Sequence, residues 1–136
     1  MAHVHAPGLV LRMDPDELLK QDATCSCEEH LAVHAQHYFL CIESDAKQGL
    51  WAPLFTAPRV GTREIPSAAK TGDPRWIGVP AHYSTDQVWC ATHKAAQRAA
   101  TAGNDRSTPK LPNRVKDAAL PNANDFARPA GYASAA

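Results

Sequence analysis

Apolar runs separated by polar turn residues lie closest together between residues 37 and 91, and this pattern predicts the folded core. Residues 37–43 are rich in aromatic and β-branched side chains and lead into a polar turn that Gly49 closes, as expected of a strand and its hairpin turn. Further short runs follow, with turn residues between them. We therefore predict a mainly β (α+β) fold, a small five-stranded barrel or sandwich. The predicted strands are residues 37–43, 50–55, 62–65, 76–79 and 87–91.

Pro53 lies inside the second of these strands. Proline has no amide hydrogen to donate to a neighbouring strand, so it is confined to edge strands and bulges. Residues 50–55 are therefore predicted to form an edge strand or a bulged, bent one.

Two helix starts precede the predicted strands. Asp14 can cap free amide groups and Pro15 suits the first helical position, so a helix of about two turns is predicted to end at Gln21. Residues 26–29 match a capping box, in which a serine and a glutamate each satisfy an amide of the helix end. They predict a second short helix that ends near Gln36.

A third helix is predicted after the last strand. Thr92 can cap it, the following residues are rich in alanine, and Gly103 is a suitable end. A competing interpretation starts this helix at Ser84, but Val88 and Trp89 favour a strand before it.

The two ends of the chain are predicted to be arms. Residues 104–136 are interrupted by proline and contain few large apolar side chains, so they are not expected to form a core of their own. Residues 9–13 form a short apolar segment that could add a strand to the core or to a neighbouring molecule. The predicted parts are an N-terminal arm with two short helices (1–36), a β-rich core (37–91), a helix (92–103) and an extended C-terminal arm (104–136).

The arms and the alanine-rich helix are predicted to attach the protein to partner molecules. Deletion of residues 104–136 is accordingly expected to leave the core folded. The residues predicted to contact partners are Leu9, Leu11, Ala96, Ala100, Arg114, Phe126 and Tyr132.

Composition narrows the possible partners. The chain has 136 residues, a formal net charge of zero and a pI near 7.0, so no overall field draws it to nucleic acid or to an anionic membrane. No run approaches the roughly 18 apolar residues that span a bilayer. The N-terminus has no secretory signal pattern, which predicts a reducing compartment. The four cysteines are then expected to be free thiols or metal ligands rather than disulfides.

Four residues form a possible zinc site, namely Cys25, Cys27, His30 and His34. Thiolate and imidazole are preferred zinc ligands, and positions three and four apart share a helix face. Structural zinc sites usually have two paired knuckles, however, and this chain has a single C-x-C. We therefore predict no cofactor, with zinc as the alternative.

The remaining cysteines and the tryptophans are predicted to be packing groups. Cys41 and Cys90 lie in predicted strands, where a free cysteine behaves as a small apolar residue. His5 is predicted at the surface. The predicted core tryptophans are Trp51, Trp76 and Trp89.

No catalytic residue is predicted. The chain has no nucleophile elbow, phosphate-binding glycine loop or dinucleotide motif. A pair of Cys90 and His93 would place the cysteine in a buried strand, where it is inert. Small RNA-cutting toxins of the PemK/MazF kind are similar to this chain in strand content alone. That similarity implies Arg63, His82 and Ser84 as the residues of an alternative ribonuclease site.

One region carries a weak excess of basic residues. Residues 56–80 hold four basic and two acidic side chains, a local charge of +2, and Trp76 and Tyr83 lie nearby. Such a surface could bind single-stranded nucleic acid through phosphate contacts and stacking. An ordinary solvated face is the preferred interpretation, so nucleic acid is not predicted as the main partner. The basic residues are Arg59, Arg63, Lys70 and Arg75.

A compact β core with an ordered helix and long arms resembles small structural proteins of tailed bacteriophage virions, such as capsid decoration or cement proteins. The segments behind this resemblance are 37–42, 50–54, 87–89 and 95–100, with Trp76 and Tyr83. It implies a protein of the virion, without catalytic residues, that binds a major capsid protein and copies of itself. The alternatives are a nucleic-acid-binding or RNA-cutting barrel and a zinc-stabilised bacterial regulator in the cytoplasm. No membrane partner is expected.

Overall fold

The computed structural model describes residues 5–27, 32–33, 35–105 and 110–129. Short 3-10 turns add to its strands and helices at Ser67–Ala69, Asp117–Ala119 and Ala123–Asp125. In chain order the strands and helices are β1 (Val10–Met13), α1 (Pro15–Lys20), β2 (Thr24–Cys25), β3 (His37–Ser44), β4 (Gln48–Pro53), β5 (Arg63–Glu64), β6 (Lys70–Thr71), α2 (Pro74–Gly78), β7 (His82–Tyr83), β8 (Trp89–Thr92), α3 (His93–Ala102) and β9 (Arg114–Val115).

A five-stranded antiparallel sheet lies at the centre of the fold, in the order β1-β3-β4-β8-β2. Two ribbons, β5 with β7 and β6 with β9, lie beside it. The prediction of a mixed α and β fold with a five-stranded sheet is confirmed at this coarse level, but only β3, β4 and β8 correspond to predicted strands of the core. β1 and β2 come from residues predicted to be the N-terminal arm. Within the described ranges β1 and β2 are not paired with each other, so the sheet is open there and the predicted barrel is not confirmed.

The sheet is buried on both faces. Successive residues of a strand point to opposite sides, and both sets of side chains lie in apolar clusters. Phe39 and Cys41 face a layer that includes α1 and α3, whereas Leu40 and Ile42 face the loops, α2 and the C-terminal segment. The long apolar run of β3 is explained by this double burial. The three tryptophans predicted in the core, Trp51, Trp76 and Trp89, are fully buried, as is Cys41, and Cys90 nearly so.

The edge alternative for residues 50–55 is wrong, because β4 pairs with β3 on one side and β8 on the other. The bulge alternative has a counterpart, since the β3–β4 pairing shifts register between Cys41 and Glu43. Pro53 is nevertheless accommodated at the end of the strand. Leu54 donates its amide to Tyr38 on β3, so the nitrogen of Pro53 faces the β8 side. There the pairing has already ended at Trp51, and no ladder bond is lost.

The first and third predicted helices are confirmed. The Asp14 side chain accepts the amide hydrogen of Asp16 at the start of α1, and the Thr92 side chain accepts that of Ala95 at the start of α3. Gly103 follows α3 where it meets β1. A Cβ on this glycine would lie 2.4 Å from the carbonyl oxygen of Arg12, so only glycine permits the approach.

The strand predicted at 76–79 is wrong, because Pro74–Gly78 forms helix α2. Its start repeats the pattern of α1, since Asp73 accepts the amide hydrogen of Arg75 and proline takes the first position. The apolar residues that suggested a strand pack against the sheet from α2 and the residue after it. Trp76 is buried in the cluster that contains Leu40 and Leu50, and Ile77 and Val79 pack against that cluster.

The helix predicted from Ser26 to Gln36 lies partly outside the described residues, at 28–31 and 34. None of its described positions is helical. The Ser26 hydroxyl accepts the amide hydrogen of Val88 and donates to the carbonyl of Asp86. It therefore binds the segment that leads into β8 rather than a helix end.

The described part of the predicted C-terminal arm packs on its own chain, which corrects the prediction of an extended arm. Val115 of β9 is fully buried beside β6. Phe126 stacks on Tyr83 with ring centroids 5.5 Å apart, and Arg128 pairs with Glu43 on β3. Residues 110–129 are thus a layer of the core.

The described N-terminal residues also belong to the core. Leu9 forms a bridge to Arg114, and Gly8 donates its amide to Cys41 on β3. His5, predicted at the surface, is only 6% exposed and contacts His93. Where they are described, the two predicted arms therefore meet each other on the sheet.

None of the described helices is both long enough and apolar enough to cross a bilayer.

Candidate functional site

A surface groove of about 480 Å³ is formed where β1, β3 and β4 approach α2 and the loop that follows β4. We call it the arginine groove. Its charged, polar and aromatic lining residues are Arg12, Gln36, His37, Tyr38, Phe55, Thr56, Arg59, Arg75 and Trp76.

The charge of the arginine groove differs from that of the whole chain. Arg12, Arg59 and Arg75 contribute three positive charges, and no aspartate or glutamate is among its described lining residues, which gives +3. The complete sequence has a net charge of zero. The groove is therefore a local concentration of positive charge on a neutral protein, and it favours anionic ligands.

Separate elements place the three guanidinium groups. Arg12 on β1 donates to the side chain of Gln36 and to the carbonyl of Gly103. Arg59 lies over the ring of Phe55, with 4.9 Å between its guanidinium carbon and the ring centroid. Arg75 belongs to the first turn of α2. Hydrogen bonds and a cation–π contact thus hold two of the three arginines in the groove.

Two half-buried rings present aromatic surface to the groove. Tyr38 packs on the buried Trp76, with ring centroids 5.2 Å apart, and His37 meets Phe55 edge to face at 5.7 Å. His37 Nδ1 lies 2.6 Å from the carbonyl oxygen of Ala35. A carbonyl only accepts, so Nδ1 carries a hydrogen and donates it to this oxygen.

A second cleft of about 720 Å³ continues from the arginine groove and shares Arg12, Tyr38 and Arg75 with it. Asp73 and Asp105 line this cleft as well, so the cleft has no net charge, and the groove and the cleft together hold three arginines and two aspartates, a net charge of +1. The pKa of the Tyr38 hydroxyl is raised, mainly by burial, and the positive charge of the nearby Arg12 lowers it in part. The tyrosine hydroxyl therefore remains a neutral hydrogen-bonding group at neutral pH.

The predicted zinc set is only partly described. The Sγ atoms of Cys25 and Cys27 are 3.3 Å apart, whereas His30 and His34 lie outside the described residues. Burial is the main cause that raises the pKa of the Cys25 thiol to about 12. Within the described part of the chain no three histidine, cysteine, aspartate or glutamate side chains cluster as metal ligands would. Zinc stays an untested alternative.

The residues predicted to contact partners are mostly internal, which corrects that prediction. Leu11, Ala96, Ala100 and Phe126 are buried in this chain's own core, and Leu9 packs against the layer of α1 and α3. Two further predicted contacts are Arg114, which donates to the carbonyl of Pro7, and Tyr132, which lies outside the described residues. Those that are described do not form a common outer surface, because the segments that carry them fold back on the sheet.

The residues considered for catalysis do not form a site on an open surface. Arg63 and His82 lie on the β5–β7 ribbon, and Ser84 follows it. Arg63 pairs with Asp125 at 3.5 Å, His82 is buried, and the Ser84 hydroxyl accepts an amide hydrogen from Asp86. None of the three lines either cleft.

Cys90 and His93 are not paired. The thiol of Cys90 contacts the side-chain oxygen of Gln48 at 3.3 Å, whereas His93 bonds to His5 and to the carbonyl of Asp45.

The weak basic region contributes to the arginine groove only in part. Arg59 and Arg75 line it, but Lys70 is buried and donates to the carbonyls of Trp76 and Val79. The sequence pattern missed Arg12 and His37, which come from β1 and the start of β3. No local signal joins them to residues 59–75, because only the sheet brings these segments together.

No protein-family model, curated protein or solved structure matches this chain. The arginine groove and its surroundings are therefore the basis for the function proposed below.

Proposed function

We propose that the protein binds single-stranded nucleic acid in the arginine groove and does so without catalysing a reaction. The observation that carries this proposal is the set of three arginines, Arg12, Arg59 and Arg75, without a described carboxylate among them, on a chain of zero net charge.

Phosphate is the anion that best suits these side chains. A guanidinium group presents a planar fork of donors that matches phosphate oxygens, and its bonds to them are strong because both partners are charged. The groove has a volume of about 480 Å³, which lies in the usual range for small-ligand sites. It is large enough for one nucleotide of a longer strand.

The aromatic lining favours bases that are not paired. Tyr38 and His37 are half-buried and recessed between β3 and α2, so the flat edge of a duplex would not reach them. An unstacked base can enter and stack on an aromatic ring, a contact worth about 1–3 kcal/mol. The neighbouring neutral cleft, with Asp73 and Asp105, offers acceptors to the base or the sugar.

A place in a phage virion, with contacts to capsid subunits, stays a prediction that these observations do not test. The arms that were expected to make those contacts are internal where they are described. For that reason the nucleic-acid hypothesis, which begins as the alternative, is our first proposal.

The proposal is tested by fluorescence anisotropy with a labelled single-stranded oligonucleotide. Arg59→Ala and Arg75→Ala should each weaken binding, and each should reduce the slope of log K against log salt by about 0.7, the value for one lost phosphate contact. Arg98→Ala is the matched control, because this exposed arginine on α3 bonds to Gln21 and does not line the groove. An equal loss in the control, or no binding by the parent protein, refutes the proposal.

The same samples test the ribonuclease alternative. We expect a mixed single-stranded RNA to remain intact after incubation with the parent protein. Cleavage that disappears in His82→Ala would support the alternative and overturn the non-catalytic proposal.

A further inference from the structure

Two thiols face each other at the edge of the central sheet. Cys25 ends β2, Cys27 follows two positions later, and their Sγ atoms are 3.3 Å apart. The chain bends at Ser26 and Cys27, directly after β2, and this bend places the thiol of Cys27 beside that of Cys25. A disulfide has a sulfur–sulfur distance of about 2.05 Å. The two atoms would therefore need to approach by roughly 1.2 Å.

The backbone around the two cysteines is fixed in this position. Between them, Ser26 donates its amide to the carbonyl of Val88 at 2.9 Å, and its hydroxyl bonds to Asp86 and to Val88. Cys25 itself is paired with Trp89 on β8. The fold thus holds both thiols on one side before any bond forms, which reduces the conformational entropy lost on forming one.

We propose that Cys25 and Cys27 form a reversible disulfide site that reacts with low-molecular-weight disulfides such as oxidised glutathione. In the first step one protein thiolate attacks the glutathione disulfide, a mixed disulfide forms, and one glutathione leaves as a thiol. In the second step the other protein thiolate attacks the mixed disulfide and releases the second glutathione. Two protein thiols are oxidised, and one glutathione disulfide is reduced to two thiols.

Either thiol can make the first attack, because the two Sγ atoms are in contact and both cysteines are partly exposed. The thiolate is the nucleophile in exchange. The thiol that does not attack first already lies beside the mixed disulfide that it has to resolve.

The other two cysteines provide an internal comparison. Cys41 is fully buried and Cys90 is 5% exposed, so a dissolved disulfide does not reach either thiol in the folded protein. Cys25 and Cys27 are partly exposed. Reaction should therefore be confined to Cys25 and Cys27 while the protein is folded.

The experiment equilibrates the intact chain in glutathione redox buffers, with and without urea, and then blocks the remaining thiols by alkylation. Cleavage after glutamate releases residues 18–28, which contain Cys25 and Cys27 but neither of the other cysteines. We expect this fragment to lose two hydrogen atoms in mass and to regain them with dithiothreitol. Alkylation is carried out in denaturant after the exchange has been quenched with acid, so Cys41 and Cys90, which are buried in the folded protein, should be found alkylated.

Three results decide the proposal. The folded protein should form the disulfide at a lower ratio of oxidised to reduced glutathione than the urea-denatured protein, because the fold brings the thiols together. Cys25→Ser and Cys27→Ser should each stop at the mixed disulfide with glutathione, because the second thiol is missing. Equal oxidation of folded and denatured protein, equal oxidation of Cys41, or no oxidation of the 18–28 fragment overturns it.

Discussion

Single buried side chains near the end of the sequence stabilise this fold. Phe126 is 5% exposed and stacks on Tyr83, which lies in the same apolar cluster as Val88 and Trp76. Aromatic side chains bury more apolar area than any others, and truncation also leaves a cavity. A residue predicted to contact a partner is thus a core residue.

Phe126→Ala is therefore expected to lower the free energy of unfolding by about 3–5 kcal/mol. Urea unfolding followed by circular dichroism measures this change. Val60→Ala is the control, because Val60 is fully exposed at a loop tip and should change stability by less than about 0.5 kcal/mol. A loss of less than about 1 kcal/mol in Phe126→Ala would show that the last described segment contributes little to the core.

His93 joins three parts of the chain through its two ring nitrogens. Its Nε2 donates to the carbonyl of Asp45 at 2.7 Å, because a carbonyl can only accept. Its Nδ1 is therefore an acceptor, and it receives the backbone N–H of His5 at 3.2 Å and a contact from the His5 ring at 3.1 Å. The imidazole thereby connects the N-terminal segment, the hairpin turn and α3.

At the scale of elements, the β3–β4 turn depends on one carboxylate. The side chain of Asp45 accepts the amide hydrogens of Lys47 at 2.8 Å and Gln48 at 2.9 Å. These two bonds lower the pKa of Asp45 below its ordinary value of 3.8, and the bond from Gln48 has the larger effect. A carboxyl group whose pKa is lower in the folded state stabilises the fold above its unfolded pKa, and this contribution is lost as the pH falls through the folded pKa.

Asp45→Asn keeps the size of the side chain and removes its charge. We expect this variant to be less stable than the parent near pH 7, and the difference to shrink as the pH falls below about 4, where the parent carboxylate gains a proton. Urea unfolding at a series of pH values measures it. A difference that stays constant down to pH 2 would show that the charge of Asp45 does not stabilise the turn.

The junction of β8 and α3 depends on the side chain of Thr92, which accepts the amide hydrogen of Ala95. Thr92→Ala should lower the free energy of unfolding by about 1 kcal/mol, because a helix donor loses its partner. Thermal and urea unfolding measure this loss. Thr101→Ala, at an exposed threonine in the last turn of the same helix, is the matched control and should be nearly neutral. Equal effects of the two substitutions would mean that the cap is not the cause.

At the scale of the whole molecule, the C-terminal segment covers one face of the sheet. Asn113, Val115 and Phe126 are buried there. Burial of one large apolar side chain contributes about 1.5–3 kcal/mol, and a small domain has about 5–15 kcal/mol in total. Loss of this segment removes a large share of that stability.

Deletion of residues 105–136 is therefore expected to abolish cooperative thermal unfolding or to lower Tm by more than about 15 °C, since each kcal/mol is worth roughly 3–8 °C at this size. Deletion of residues 130–136 alone removes none of those buried side chains and is the control. Calorimetry of the three proteins checks the expectation. A protein without residues 105–136 that unfolds like the full chain would restore the view of residues 104–136 as a detachable arm.

Elements that depend on contacts between neighbouring residues could be predicted from the sequence. Aromatic and β-branched residues predicted β3, and the capping patterns at Asp14 and Thr92 predicted α1 and α3 with their first residues. The three tryptophans were predicted to be core residues from their apolar area alone. Capping depends on contacts within a few residues. The burial of a tryptophan follows from its large apolar area, whichever elements cover it.

The positions of the two ends of the chain, and the set of side chains that line the groove, could be known only from the tertiary structure. Residues 110–129 have too few apolar side chains to fold alone, yet the uncovered face of the sheet gives Val115 and Phe126 a place to be buried. Arg12, His37 and Arg59 meet because β1 and β3 are neighbours in the sheet and the loop after β4 returns beside them. Sequence patterns carry the preferences of short segments, whereas pairing between distant strands depends on the energy of the whole chain.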